Sequence, residues 1–417
     1  MPAPIGYLVP EFPTQTHVFF WREVEALRGL GAEVRLISTR RPPEGACRHA
    51  FAAGAVAETH YLYPPRKLTA AAALLARPAG TARALAYVAG LAESSAKNKA
   101  RALGLLACAA DLVDHARRLG IGHVHAHSCA DAAHVVALAH ALGGPTYSLT
   151  LHGDLPVYGV DHKSKMRLAT FVSSDGSHLA DQVAEHVGLG RDRLMPSWMG
   201  LDVSDDDSGQ PPRDDRPGRL HLATVARLNR CKGHRHALAA MRIGLDRGLD
   251  LRYSLAGSGP DEAEVRAEVD RLGLADRVEF LGSLGEAEVV DLLRRADAFV
   301  LPSVGLGEAG PISLMEAMAR GLPSVCSIIG ATPEMMADGV EGHLVPQADE
   351  PGLAAAFAAL ADDPAARRRM GEAARRRAVA AFDRRATAAR LLAAIRAGRA
   401  VPPVAPAEAA VPSMASS

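Results

Sequence analysis

Glu308 and Glu316 bracket a Gly-Pro step in the stretch Ser303-Val-Gly-Leu-Gly-Glu308-Ala-Gly310-Pro311-Ile-Ser-Leu-Met-Glu316-Ala-Met-Ala-Arg-Gly321. The run Ala298 to Pro302 before it reads as a strand end, and the run from Pro311 as a short helix closing at Gly321. Proline suits the first helical position, because its missing N–H is no loss there and its φ already fits. The N–H groups of Ile312, Ser313 and Leu314 then lie unpaired at the positive end of the helix dipole, a seat for an anion such as a phosphate. Ile312 and Glu316 stand about 6 Å apart along the axis. A ligand with its phosphates on the helix tip therefore meets Glu308 on one side and Glu316 on the other. A nucleotide sugar has that layout: a hexose, a diphosphate, then a ribose with a vicinal diol.

Two cations could serve the same ligand. Arg227 and Lys232, in Ala226-Arg-Leu-Asn-Arg-Cys-Lys232-Gly233, follow the apolar run His221 to Val225. Breaking a glycosidic C–O bond leaves charge on a phosphate, which Arg can hold through a fork and Lys as a point charge. His152 and Asp154 follow the strand Thr146 to Leu151, at the end where parallel sheets hold ligands. His123, His125 and His127 share one strand face by period two, but three positions of one strand rarely converge at ~2.0 Å on one ion. Asp205-Asp206-Asp207 fits an Asp-x-Asp metal signature, yet no strand precedes it and it reads as solvated charge.

The elements that must position these residues alternate as β and α. Strand Ile5 to Val9, helix Phe19 to Leu30 and strand Glu33 to Ser38 open a parallel, doubly wound sheet. The first loop lacks Gly-x-Gly-x-x-Gly, which weakens a dinucleotide-cofactor reading. Lys67 to Leu119 is Ala-rich and helical. Strand His123 to His127, helix Ala130 to Leu142, strand Ala169 to Ser173 and helix Ser177 to Val187 complete the first half. The second half alternates again from strand His221 to Val225, through strand Val278 to Leu281, to helices Pro364 to Phe382 and Arg384 to Arg399. Between the halves, Ser204 to Gly218 is charged and Pro/Gly-rich, a hinge; Val401 to Ser417 reads as a disordered tail.

The glutamate pair, with seven residues between its members, resembles the motif of retaining GT-B glycosyltransferases in glycosyltransferase family 4, the polysaccharide-biosynthesis type of group 1 glycosyltransferases. Arg227 to Gly233 resembles that family's Gly-Arg-Leu…Lys-Gly element. The loop Phe12-Pro13-Thr14-Gln-Thr16-His17 resembles its Phe-Pro-x-x-(Ser/Thr) loop, and Pro196 to Asp202 its domain-closing turn. The resemblance implies an α/β GT-B architecture, two Rossmann-like domains facing across a cleft. Residues 1–202 would bind the acceptor, joined by the crossover helix 384–399; 203–218 would link, 219–383 would bind the nucleotide sugar, and 400–417 would be the tail. It also implies roles. Glu308 would hold the donor sugar and Glu316 the ribose; Arg227 and Lys232, with Gly310, Pro311, Ile312 and Ser313, would hold the diphosphate. Phe280 would mark the backbone at the base, His152 the reacting face, and Thr16, His17 and Asp154 the acceptor region. Ala309 stands where the family often has Gly. The reaction would retain configuration and need no metal or other cofactor, with a UDP- or GDP-linked sugar as co-substrate and a glycan, lipid-linked or small natural-product acceptor. A GT-B epimerase, a phosphorylase and a non-catalytic partner subunit are the competing readings.

Length and composition set outer bounds. The 417 residues suffice for two domains. Lys plus Arg equals Asp plus Glu at 47 each, which leaves no net field to draw nucleic acid. Five scattered cysteines, never spaced Cys-x-x-Cys, argue for free thiols in a reducing cytoplasm. The N-terminus lacks a basic start before a long apolar core, and no apolar run reaches the ~18 residues of a membrane span. Arg77, Arg83, Lys97, Lys99, Arg101, Arg117 and Arg118 along 67–119 would allow peripheral contact with the inner membrane face; ordinary amphipathic packing is the alternative.

Overall fold

The computed structural model describes residues 3–203, 216–305 and 308–402. Most of the expected linker, including Asp205 to Asp207, and the expected tail from residue 403 lie outside the described residues. The chain forms two sheets, each wholly parallel. The first comprises β1 (Ile5–Glu11), β2 (Val34–Arg40), β3 (His60–Tyr63), β4 (His123–His127), β5 (Thr146–Leu151), β6 (Val172–Asp175) and β7 (Leu194–Ser197), in the order β3-β2-β1-β4-β5-β6-β7. The second comprises β8 (Arg219–Val225), β9 (Asp250–Ala256), β10 (Val278–Gly282), β11 (Ala298–Leu301), β12 (Ser324–Ser327) and β13 (Gly342–Val345), in the order β10-β9-β8-β11-β12-β13.

Parallel strands need crossover helices, and those helices bury both faces of a sheet. This is why β4, β5 and β6 are buried along almost their whole length, and why their polar side chains must find partners within the sheet. Each sheet reverses its winding beside its first strand, at β1/β4 and at β8/β11. Outside the carboxyl ends of such a switch lies a crevice where ligands bind. Arg227 follows β8 and Glu308 follows β11, so the topology of the second sheet brings both to one crevice.

Local reading and structure part in several places. The helical stretch 67–119 is three helices, Lys67–Leu75, Pro78–Ala89 and Ala96–Leu119. Pro78 starts the second, and Ser95 caps the third by accepting from the Asn98 N–H. Leu68 and Leu75 stand 88% and 82% exposed there. Among the described residues, no helix is long and apolar enough to cross a membrane. The strand expected at Ala169 to Ser173 runs instead from Val172 to Asp175, because Leu149 pairs with Val172 and Thr170 is spent on the Tyr147 carbonyl. Helix Ala52–Glu58 and strand β3 were not anticipated.

The helix Arg384–Ala397 returns to the first sheet. Ala388, Leu391, Leu392 and Ile395 join Tyr7, Phe20 and Val24 in one buried cluster against the helix Val18–Gly29. The chain thus passes between the sheets twice, and the two passages are stitched together. Leu201 donates to the Phe382 carbonyl (2.9 Å), Arg384 donates back to the Leu201 carbonyl (3.0 Å), and Arg384 Nε meets Asp202 at 2.7 Å. Gly200 permits this approach, since a Cβ there would sit 2.2 Å from Arg384 Cα.

Candidate active site

Between the two sheets lies a cleft of about 480 Å³. From the second domain it is lined by Arg227, Lys232, Glu308, Glu316 and residues 309–313; from the first, by Thr16, Arg22, His152 and Asp175.

Glu308 is buried, and its Oε2 accepts from the Ser303 hydroxyl (2.7 Å) and from the Lys232 ammonium. The Lys232 charge expected for a diphosphate therefore rests on Glu308 here. Arg227 lines the same wall and has no carboxylate partner among the described residues. Two glycines hold this wall together. A Cβ at Gly233 would lie 1.8 Å from the Pro302 carbonyl oxygen, and one at Gly330 would lie 1.6 Å from the Glu308 carbonyl oxygen. Both have positive φ, 67° and 52°, which glycine adopts without strain. The loop after β8 is fixed further by His234, whose Nε2 meets the Arg227 carbonyl at 2.9 Å.

Pro311 is the residue before the first turn of the helix Ile312–Ala319, at φ −65° and ψ 110°, not its first member. Its carbonyl accepts from the Leu314 N–H at 3.1 Å, so Leu314 is not among the unpaired donors expected there. The N–H groups of Ile312 and Ser313 have no acceptor among the described residues, and both residues line the cleft. Two donors at a positive helix end still suit one phosphate group.

Glu316 is held from across the cleft. Arg22 Nη1 donates to Glu316 Oε1 at 2.9 Å, while its Nη2 and Nε reach Glu286 Oε1 at 2.5 and 3.1 Å. The Arg22 side chain is 8% exposed. Burial works to lower its pKa, but the Glu316 and Glu286 carboxylates outweigh that and raise it. Arg22 stands in the helix Val18–Gly29, so this is an ion-pair bridge between the domains. Sequence reasoning missed it.

On the opposite wall His152 belongs to a buried polar chain. Its Nδ1 donates to Asp175 Oδ2 at 2.8 Å, and its Nε2 faces His127 Nδ1 at 3.1 Å. His127 Nε2 lies 3.2 Å from Glu23 Oε2 but off the hydrogen-bond direction, and Tyr7 donates to that same oxygen at 2.6 Å. Burial raises the Glu23 carboxyl pKa and pushes His127 well down, so both favour their neutral forms. Both ring nitrogens of His152 are thus turned inward, and neither is free to take a proton from a ligand hydroxyl. The strand histidines are absorbed likewise: His123 contacts the Thr146 and Ser148 hydroxyls, and His125 those of Ser148 and Thr150, at 2.7–2.9 Å.

Three residues expected at the site lie elsewhere. Phe280 sits on the edge strand β10 beneath the Arg266 guanidinium, 4.1 Å from its ring centroid; Ser283 and Leu284 line the cleft in its place. Asp154 is buried and accepts from Gln182 at 2.7 Å, bracing the helix Ser177–Val187. His17 packs on Phe19 and Phe20 at the start of its helix, and burial lowers its pKa to about 4. Thr16 does line the cleft.

Residues 211–377 match the family model for glycosyl transferases group 1. The matched stretch falls on the second domain. That stretch carries Glu308, Glu316, Arg227 and Lys232. Curated relatives include the putative colanic acid biosynthesis glycosyltransferase WcaL of Escherichia coli, 35% identical over 42% of this chain and 44% of that one. The amylovoran biosynthesis glycosyltransferase AmsK of Erwinia amylovora is 34% identical over 41% of each chain. The chain thus matches less than half the length of these relatives. Among solved structures, Anabaena HepE in complex with UDP superposes with TM-score 0.70 over 94% of this chain and all of that one, at 17% identity. Sucrose-phosphate synthase of Thermosynechococcus elongatus gives 0.69 over 95% and 98%, at 21% identity. The architecture of the two domains is therefore GT-B.

Proposed function

We propose that the chain is a retaining, metal-independent glycosyltransferase that moves a sugar from a nucleotide sugar to a hydroxyl of a glycan or lipid-linked acceptor. One observation carries the reading: two carboxylates, two cations and two unpaired helix-tip N–H groups line a single interdomain cleft, with His152 opposite. In this reading Glu316 binds the ribose diol, the Ile312 and Ser313 N–H groups with Arg227 hold the diphosphate, and Glu308 meets the donor hexose. The names of WcaL and AmsK favour an exopolysaccharide intermediate as acceptor, and the UDP complex of HepE makes UDP-sugars the first donors to try. Basic residues and exposed Leu68 and Leu75 along 67–119 would let the chain approach a membrane-held acceptor from the cytoplasmic side.

The chemistry follows from what each group can do. The bond from the sugar C1 to the β-phosphate oxygen breaks, and the leaving diphosphate gains charge that Arg227 and the helix tip stabilise. Entry of the donor draws Lys232 toward the phosphate, since a dianion attracts it more than a carboxylate shared with Ser303. The acceptor oxygen bonds C1 on the face that the phosphate leaves, and its proton passes to the departing phosphoryl oxygen. His152 is unsuited to be that base, because both of its nitrogens are occupied. The fixed cations take the part that a divalent ion would otherwise play.

Titration with UDP and GDP tests the reading, with the sugar nucleotides following in a melting-temperature screen. Glu316→Ala should abolish nucleotide binding, whereas Glu308→Ala should keep it and lose transfer. Normal turnover by both variants would overturn the proposal.

A further inference from the structure

We propose that Arg22 is a placeholder for the nucleotide: it occupies Glu316 from the opposite domain and surrenders it when the ribose arrives. The inference rests on the reading of Glu316 as the ribose ligand. Its own foundation is the geometry of one guanidinium. Arg22 gives Glu316 a single N–H, through Nη1 at 2.9 Å, and gives Glu286 two, through Nη2 and Nε. The two attachments are therefore unequal. A vicinal diol offers Glu316 two O–H donors, so the single bond is the one it can displace. The pair on Glu286 would survive the exchange.

Solvent exposure points the same way. The Glu316 side chain is 20% exposed and lines the cleft, whereas Glu286 is 51% exposed at the start of the helix Glu286–Arg295. A carboxylate half in water can keep an arginine at modest cost. A mostly buried one facing a ligand site needs a cation or a donor at all times, because an unpaired charge there is costly. Arg22 fills that need in this structure, and the ribose would fill it in the complex. Arg22 can wait nearby because Glu286 still holds it and because the helix Val18–Gly29 is anchored by Phe20, Val24 and Leu27 in the core. On product release the guanidinium is already in place to return. Nucleotide affinity is lowered by the ion pair that must open, which favours release of the spent nucleotide.

Arg22 is therefore a positioning residue shared by the domains, and its removal should separate binding from turnover. The test is a double-mutant cycle on UDP affinity by calorimetry at fixed ionic strength, using Arg22→Gln, Glu316→Gln and the pair. Arg22→Gln should tighten UDP about fivefold and lower the donor KM, while kcat falls about tenfold because the tie to Glu286 is gone. In the Glu316→Gln background the same change should leave the UDP Kd unaltered. Unchanged or weaker UDP binding by Arg22→Gln would overturn the proposal. Tightening that persists without the Glu316 carboxylate would do so as well. If Arg22→Gln does not fold, Arg22→Met, which keeps the long stem and removes the charge, replaces it, with the same sign expected. The underlying assignment fails separately: Glu316→Gln would then leave the UDP Kd unchanged even where Arg22 has been removed.

Discussion

His152 Nδ1 donates to Asp175 Oδ2 across 2.8 Å, from the end of β5 to the end of β6. The carboxylate fixes which nitrogen carries the proton and turns the ring so that His127 takes the other side. Asp175 also packs against the backbone of Gly310 in the glutamate loop, where an added Cβ would meet Asp175 Cβ at 3.1 Å. One aspartate thus orients the histidine of one domain and borders the donor loop of the other. Asp175→Asn, which can donate where the carboxylate only accepts, should lower kcat on the order of tenfold to a hundredfold with UDP affinity changed less than about threefold. Steady-state kinetics beside UDP calorimetry would check this; equal loss in both would mean that Asp175 serves the donor loop alone.

The domains meet a second time at Glu334. Its carboxylate accepts from the Ser177 N–H (2.9 and 2.7 Å) and the His178 N–H (3.0 Å), capping the helix Ser177–Val187 from the other domain. Burial would raise the Glu334 pKa, but these hydrogen bonds override it and bring it down to about 2. A depressed carboxyl stabilises the folded form above its ordinary pKa near 4.5 and loses that contribution as pH falls toward 2. Interdomain docking should hence weaken across that interval. Glu334→Gln, which keeps the shape and loses the charge, should lower the melting temperature by about 2 °C at pH 7 and remove this acid step. Melting curves from pH 7 to pH 3 on both proteins measure it.

Gly330 supports Glu308 through its backbone. The Ala331 N–H donates to the Ala309 carbonyl at 2.9 Å, and no side chain fits at Gly330 beside the Glu308 carbonyl. Gly330→Ala should displace the glutamate loop, destabilise the fold by about 2–4 kcal/mol and cut transfer more than about tenfold. UDP affinity should change less, because the helix tip and Glu316 lie beyond the displaced loop. Denaturant unfolding and turnover assays together separate the two effects.

Acid should unsettle the first domain before the second. Burial lowers His17, His123 and His134 to about 4, and it pushes His125 and His127 well down. Histidines depressed in the fold bind protons more readily once unfolded, so their contribution is complete above about pH 6.5 and declines as pH falls toward 4. A melting temperature lower by on the order of 5 °C at pH 5 than at pH 7 is expected. His123→Asn, which keeps hydrogen bonding without a titrating ring, should shrink that difference.

Much of this site was legible because its residues sit at strand ends in a repeating β/α order. Glu308, Glu316, Arg227, Lys232 and His152 fall where strand and helix patterns change, and the cleft contains all five. What escaped notice depends on the meeting of distant elements. Arg22 looks like any polar residue of a surface helix until the domains close over it. A partial signal existed in its neighbour: Glu23 lies three residues from Phe20 and four from Leu27, an acid on an apolar stripe that had to find a buried partner. Pro311 misled by one position because its fixed φ suits both the cap and the first turn. Phe280 misled because an edge strand offers two faces and the sequence does not say which meets the cleft. The short pieces Ala52–Glu58 and His60–Tyr63 show too few periods to stand out.

The two passages of backbone at Leu201 and Phe382 are bonded to each other rather than set at opposite edges of the molecule. A pair of halves joined along one short seam can swing like the covers of a book but can neither slide apart nor twist freely. Every opening of the molecule must pivot on that spine, and Arg22, which lines one small pocket with Leu201, Asp202 and Glu316, sits close to the pivot and moves little when the covers part.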